Sequence, residues 1–449
     1  MNNLFLNMTH YLKSHFVALL LVVVALTFSE RLSAQLRTSY FMEGSYFRTE
    51  LNPALKPTRG YIAVPLLSGI HSSIGGNIPL RNNIAIGTAP DEITPAMLSK
   101  YPKLGKNNSS SRLNILGVGF YTRNGMFWNF GANLREETDY TIPRRLYELE
   151  SSASTGTFTF DNITGNTYTF IDAYVGTSIT ICDFINIGAR VKFLTGLVNG
   201  RAHIDKLTMN NGTVDDFSLH VRLNSIEYDT SNYDGTYESI IYLEDGGDIW
   251  RNVKSFGGAI DLGVELRLLN DRLKVSAAVT DLGFIHWAGS SRYSGEMSAD
   301  TTTIDAPEEM TGYTTRINCD LNAGVEYNFC QDILAVGLLS HTRFYNSHTT
   351  SELTASLNVR PTNWITLTAS HTLLNGNRPG IFGAAINVHP AGINIFAGMD
   401  FIAFRYESIN DNALSIIGIP APIVGPRNGT SMNIYMGIGF NLARPKSDR

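Results

Sequence analysis

The sequence predicts an all-β protein, a transmembrane antiparallel β-barrel of about 14 strands with an N-terminal plug and partly helical outside loops. Three observations predict it. Apolar and polar residues alternate with period two over stretches of about ten residues or more, the connections between these stretches alternate between short and long, and charged residues are only 17 % of a chain rich in Gly, Tyr and Phe.

The alternation is clearest near the end, where Met432, Ile434, Met436, Ile438, Phe440 and Leu442 interleave with Asn433, Tyr435, Gly437, Gly439 and Asn441. In residues 316–329, Ile317, Cys319, Leu321, Ala323, Val325, Tyr327 and Phe329 face one way, against Arg316, Asn318, Asp320, Asn322, Gly324, Glu326 and Asn328. Ile260, Leu262, Val264, Leu266 and Leu268 repeat this against Asp261, Gly263, Glu265 and Arg267. A soluble sandwich alternates too, but its strands average about five or six residues. Tilted strands of about ten residues cross a bilayer.

The expected strands are 69–79, 113–122, 126–135, 170–182, 184–194, 256–269, 272–285, 313–329, 333–344, 351–359, 364–373, 381–388, 391–400 and 431–442. Their even number suits a barrel with both chain ends in the periplasm, on the side of the short turns. The stretch 195–255 holds further strand-like runs such as 217–227, to be read as an outside hairpin or as one more membrane pair. Trp128 and Trp364 beside short turns, and Trp287 beside a long loop, fit interfacial aromatic girdles. Thr94-Pro95 ahead of Ala96, Met97, Leu98 and Tyr101, and Pro143 ahead of Leu146 and Leu149, read as helix starts in outside loops that cap the mouth.

The N-terminus reads as an export signal. Lys13 and His15 precede an apolar run, Phe16 to Phe28, and Leu32-Ser33-Ala34 offers a cleavage site before Gln35. Domain boundaries follow: a signal peptide at 1–34, a plug segment at 35–65 and a barrel at 66–449. Beyond residue 34 no run of eighteen apolar residues appears, so helical spans are not expected. The destination is the outer membrane of a Gram-negative cell, with outer-membrane lipid as the first partner. Without the signal the chain carries 33 basic and 39 acidic residues, a balance that argues against nucleic acid.

Chemistry-bearing constellations are sparse. Cys182, Cys319 and Cys330 lack zinc-site spacing. Ser370 and His371 are strand neighbours, so they point to opposite faces and cannot form a dyad. His341 and His389 read as strand-end or turn histidines. Asp229, Asp234, Asp245 and Asp248 fit a solvated acidic loop better than a calcium site, and no phosphate-cradling Gly loop precedes a helix. No catalytic residue, metal or cofactor is expected.

Leu51-Asn52-Pro53-Ala54-Leu55 resembles the Asn-Pro-Ala element in the plug of FadL-like outer-membrane transporters of hydrophobic compounds. Residues 39–65 and Asp281-Leu282-Gly283-Phe284-Ile285-His286-Trp287 resemble an uncharacterised Bacteroidetes family of such barrels, over most of the mature chain. The resemblance implies a lumen closed by residues 36–60, with Asn52, Pro53 and Ala54 at the plug. No substrate-binding residues of the characterised transporters carry over. Gly437-Ile438-Gly439-Phe440-Asn441-Leu442 resembles a barrel-insertion signal, although Met436 and the seven further residues 443–449 depart from it.

Two functions fit. The favoured one is a channel for a small hydrophobic ligand. The other is a non-transporting barrel, an anchor or scaffold with secretion or surface protein partners. A continuous apolar lining would favour the first, and a plugged polar lumen with an apolar loop face the second. Strand parity points Arg190, Lys192, Asp261 and Glu265 inward as a mixed-charge ladder, with Lys274 and Glu326 as a lower pair, because inward charges escape the lipid-side cost of ~2–4 kcal/mol.

Overall fold

The computed structural model describes residues 37–78, 102–144, 156–210, 213–224, 254–298, 301–304, 308–374, 381–402, 406–410, 423–426 and 430–442. The expected signal peptide and its cut, the 94–101 helix, Leu146 and Leu149, the acidic loop at 229–248 and the tail 443–449 lie outside these residues.

The wall is a single antiparallel sheet that closes on itself. Its strands are β1, made of Tyr61–Ala63 and Ile70–Gly76, then β2 (Leu104–Tyr121), β3 (Phe127–Pro143), β4 (Thr157–Cys182) and β5 (Ile185–Asn210). There follow β6 (Ser255–Leu268), β7 (Leu273–Trp287), β8 (Tyr313–Arg316 and Cys319–Phe329), β9 (Leu334–Phe344) and β10 (Thr349–Thr362). β11 (Ile365–Leu374), β12 (Ile381–Val388), β13 (Ile393–Ile402) and β14 (Met432–Asn441) complete the ring. Closure comes where β14 pairs with β13 on one side and with both parts of β1 on the other. All fourteen expected strands are present.

Short turns gather at one end. Two of them put three successive residues in the left-handed region: Leu269, Asn270 and Asp271 at φ 54°, 56° and 64°, and Cys330, Gln331 and Asp332 at 49°, 56° and 68°. Asn and Asp tolerate that conformation better than other L-residues, which makes such tight reversals accessible.

Among its described residues, the 195–255 stretch adds no membrane pair. β5 pairs with β6 from Ile185 to Gly196, then continues outward and pairs with the strand Thr213–Asn224, which folds back along it. Ser290–Ser298 joins that strand and in turn pairs with Thr301–Ile304 and Glu308–Met310. The 26 residues of β5 reach about 85 Å at a strand rise of ~3.3 Å, far more than a bilayer requires. The outer half therefore stands above the barrel as an extra sheet.

Inside and outside separate by parity. Val191 is 65 % exposed between Arg190 at 1 % and Lys192 at 2 %. Phe120, Phe130, Val175, Phe193, Leu262, Phe284, Leu338, Leu357, Ile386 and Phe440 join it on the outer surface, the apolar band that lipid requires. Phe130 stacks between Phe120 and Trp128 on this surface, and Trp364 is exposed at the short-turn end.

Three residues depart from the expected faces. Trp287 is fully buried, packed with Tyr168, Phe170, Leu194, Ile285 and Ile317, not in a lipid girdle. Its strand alternates so that Ile285 and Trp287 turn inward while Phe284 turns out, and its Nε1 donates to Thr315 Oγ1 at 2.8 Å. Ile317 joins the same inner cluster, and Arg316, expected inward, is exposed opposite Phe284, because β8 is interrupted at 317–318, which breaks the alternation there.

Candidate functional site: the filled lumen

Residues Arg37 to Gly60 run inside the ring. Two short 3-10 turns, Arg37–Ser39 and Tyr46–Glu50, fold this segment, the second capped by Ser45 Oγ accepting from Phe47 N at 3.2 Å. The segment has little regular structure, so its backbone groups need partners inside the barrel. Asn52 supplies several. Its Oδ1 accepts from Ala54 N at 2.9 Å, while Nδ2 donates to Tyr40 Oη at 3.2 Å and to Ala277 O on β7 at 3.4 Å. Glycines let it lie against the wall. A Cβ on Gly263 would meet Asn52 Oδ1 at 2.0 Å, and one on Gly188 would meet the Pro53 carbonyl carbon at 2.2 Å. Ser178 Oγ on β4 donates to Ala54 O at 3.4 Å.

One side of the segment is aromatic. Tyr46 stacks on Tyr61 with centroids 4.3 Å apart and meets Phe396 edge-on at 5.3 Å, and Phe47 packs against Phe396 and Tyr435. These rings sit behind the interruption of β1. Seven residue steps of β1, from Ala63 to Ile70, span three of β14, from Gly439 to Met436, so the excess residues bulge. Leu66 and Leu67 in the bulge are exposed, yet its backbone still bonds both neighbours, Leu66 N to Asn114 O at 2.9 Å and Ile438 N to Leu67 O at 3.0 Å. A cavity of about 10 Å³, bordered by Tyr46, Phe47, Glu50, Ser68, Gly69 and Arg112, lies behind it. That is room for one water molecule.

Charge holds the segment at three points. Arg37 pairs with Glu352 on β10, and its backbone N donates to Asp400 Oδ2 on β13 at 3.2 Å. Glu43 pairs with Lys274 on β7. Glu50 accepts from Arg112 on β2 at 2.9 Å and lies 3.0 Å from Arg190 on β5. Burial alone would raise the Glu50 carboxyl, but Arg190, Arg112 and Lys192 outweigh it and hold it below the ordinary carboxylate range.

The sequence-derived ladder residues all lie on the inner face. Asp261 Oδ2 stands 2.8 Å from Lys192 Nζ and 3.6 Å from Arg190 Nη1. Glu265 does not meet those cations; it accepts from Asn186 Nδ2 at 2.6 Å, which links through Thr180 to Lys56 of the inner segment. Lys274 is 3.9 Å from Glu326, whose nearer partner is Arg360 at 2.7 Å.

The ladder is one flank of a larger network that sequence reasoning missed. Arg135 on β3 donates to Glu137 at 2.5 Å and to Asp281 on β7 at 2.7 Å, and Lys192 also donates to Asp281, at 2.6 Å. Glu137 in turn accepts from Arg343 on β9 at 2.7 Å and from Asn318, in the interruption of β8, at 2.6 Å. Since β3 and β9 lie nearly half a ring apart, this pairing bars the lumen from wall to wall. Arg135, Glu137 and Asp139 already alternate along the sequence at inward positions, a signal that could have found the bar.

Other candidate groups are structural here. Ser370 faces in, 2.6 Å from Thr38 Oγ1, while His371 faces out against Phe382. His341 faces in as well, its Nδ1 2.7 Å from Asn322 Oδ1. Cys182, Cys319 and Cys330 are unpaired, and among the described residues no group of three ligands could hold a metal ion.

Solved structures similar to this chain include the toluene transporter TodX of Pseudomonas putida, at 10 % identity over 88 % of this chain and 93 % of that one, TM-score 0.43. The monoaromatic hydrocarbon channel CymD follows at 10 % identity over 92 % and 94 %, TM-score 0.41. The translocator domain of the autotransporter NalP of Neisseria meningitidis matches at 8 % identity over 90 % and 96 %, TM-score 0.35. No curated protein matches. The profile of a family of unknown function, DUF5723, matches residues 53–310 and 301–400, more than half of the chain, and the chain belongs to that family.

Proposed function

We propose that this outer-membrane barrel passes small hydrophobic molecules through its wall at the β1 interruption, not straight down its lumen. The observation that carries the reading is the bulge at residues 64–69, with Leu66 and Leu67 turned to lipid and the Tyr46, Phe47 and Phe396 rings behind it. The lumen lining is polar and cross-linked by ion pairs, so an apolar solute would have to break buried charge pairs to go that way. Moving the Tyr46 and Phe47 rings aside, with the Glu50 pairs to Arg112 and Arg190 left in place, would instead open an aromatic path to a wall segment that already lacks regular pairing. The Asn-Pro-Ala resemblance of the plug supports the same class.

The anchor or scaffold reading rests on the bar between β3 and β9, which suits a barrel that stays shut. Uptake decides between them. Cells carrying the native chain should accumulate a labelled hydrophobic solute faster than cells carrying a chain whose 64–69 bulge is shortened to continuous strand, with both proteins heat-modifiable and in the outer-membrane fraction. Equal uptake would remove the wall route. Mass spectrometry of material purified in mild detergent should then show co-purifying proteins in place of lipophiles.

A further inference from the structure

The outer halves of β4 and β5 and the strand Thr213–Asn224 carry a second cluster of charge, well away from the plug. Arg201 on β5 and Arg222 on Thr213–Asn224 are direct cross-strand partners, and so are His203 and His220 two residues further out. Like charges placed directly opposite one another destabilise a sheet.

The lumen arginines Arg112, Arg135, Arg190, Arg343 and Arg360 are each paired with a carboxylate. Arg201 and Arg222 are not: among the described residues neither has a carboxylate oxygen within 4.0 Å. Arg201 Nε donates to Asn166 Oδ1 at 3.1 Å, and the Arg222 guanidinium lies 4.6 Å from the Tyr313 ring centroid. Tyr313 is itself held by its hydroxyl donating to Asn199. Of the described carboxylates nearby, Asp205 has both oxygens engaged, Oδ1 with His203 Nε2 and Oδ2 with His220 Nε2, each at 3.0 Å, and Asp139 accepts from Asn166 Nδ2 at 3.2 Å. Among the described residues the two guanidinium groups are thus held by neutral partners and make no ion pair. Their partners Asn166, Asn199 and Tyr313 belong to the inner side of the sheet, so the pair overhangs the mouth.

We infer that Arg201 and Arg222 form an anion clamp for a phosphoryl group arriving at the outer mouth. Two adjacent forked cations match the charge and the several acceptor oxygens of a phosphate dianion, whereas one carboxylate would satisfy only one of them. Binding at this site does not depend on the wall route, and its readout is binding alone.

The test is calorimetric titration of the full chain in uncharged detergent and phosphate-free buffer with inorganic phosphate, dodecyl phosphate and dodecanoate. Phosphate and dodecyl phosphate should bind, and Arg201→Gln or Arg222→Gln should each weaken binding about tenfold, the worth of one charge-assisted contact. Heat-modifiable migration should be unchanged. Arg201→Lys and Arg222→Lys, which keep charge and fold but lose the fork, should lie between native and Gln and serve where a Gln variant fails to fold. Tighter binding of dodecyl phosphate than of phosphate would assign a lipid-like headgroup, and equal binding a free phosphoryl solute; both uphold the clamp. No binding of either, native-like binding by the double Gln or double Lys variant, or dodecanoate binding as tightly as dodecyl phosphate would overturn it.

Discussion

Arg135 reaches Asp281 across two walls of the barrel, Nη1 to Oδ1 at 2.7 Å, and the carboxylate that receives it sits at a left-handed φ of 60°. That conformation falls where the β6–β7 register slips between Ile260 and Leu262, and Asp281 N donates to Asp261 Oδ1 at 2.7 Å across the slip. The bulge thus turns a side chain from the wall toward Arg135, Lys192 and Arg112. Asp is among the few non-Gly residues that accept such a φ.

Asp281→Ala should therefore be among the most destabilising changes in the wall. It leaves two buried cations short of a partner, at a cost of ~3–5 kcal/mol. Asp281→Asn keeps the backbone preference and two acceptor lone pairs, and should cost less. Thermal loss of heat-modifiable migration in detergent measures both, and an Ala variant as stable as native would show that the network holds nothing together.

The Asn52 amide ties together Ala54 N, Tyr40 Oη and the β7 backbone, so Asn52→Leu leaves buried polar groups of the inner segment and the wall without this partner. Gly188→Ala acts from the wall side, where its Cβ would lie 2.2 Å from Pro53. Both variants should raise single-channel leak and antibiotic sensitivity, while Gly392→Ala, with open space around its Cβ, should raise neither. Unchanged leak in both of the first two would mean that residues 37–60 do not seal the barrel.

Strand identity was legible because lipid and lumen impose opposite chemistry on alternate residues; Val191 between Arg190 and Lys192 is the plainest case. What the alternation could not give was any place where the chain leaves period two. Alternation predicts Ile317 outward and a place beside a long loop predicts Trp287 in a girdle, yet both turn inward, Ile317 where β8 is interrupted. Partner choice was equally hidden. Glu265 stands inward as parity demands, but the stagger of tilted strands puts Asn186 opposite it and leaves Lys192 to Asp261 and Asp281. Glu43 and Glu50 lie on a segment with no periodicity, so nothing local announced their partners.

Glu43 offers a charge-swap test of how that segment is seated. It pairs with Lys274 and lies 3.8 Å from Arg360, which also serves Glu326. Glu43→Lys alone should set three cations around one carboxylate and raise leak. Adding Lys274→Glu should restore part of the seal, since the pair is rebuilt with reversed sign. Rescue is expected to be incomplete because Arg360 then faces a lysine. A double variant leakier than the single one would separate the two residues.

The bar from β3 to β9 makes the final prediction. Arg343→Gln removes the cation that Glu137 and Asp320 share, at 2.7 and 3.4 Å, yet the inner segment still fills the lumen beside it. The single variant should lose stability, by ~3–5 kcal/mol for one partner of a buried pair, without gaining conductance. Deleting residues 37–59 alone should open a leak but not a full current, because Arg135, Glu137 and Arg343 still link β3, β7 and β9 across the lumen. Only the combination should yield a stable open-channel current in planar bilayers. If the deletion by itself conducts as well as the combination, the bar is no barrier and the inner segment alone closes the barrel.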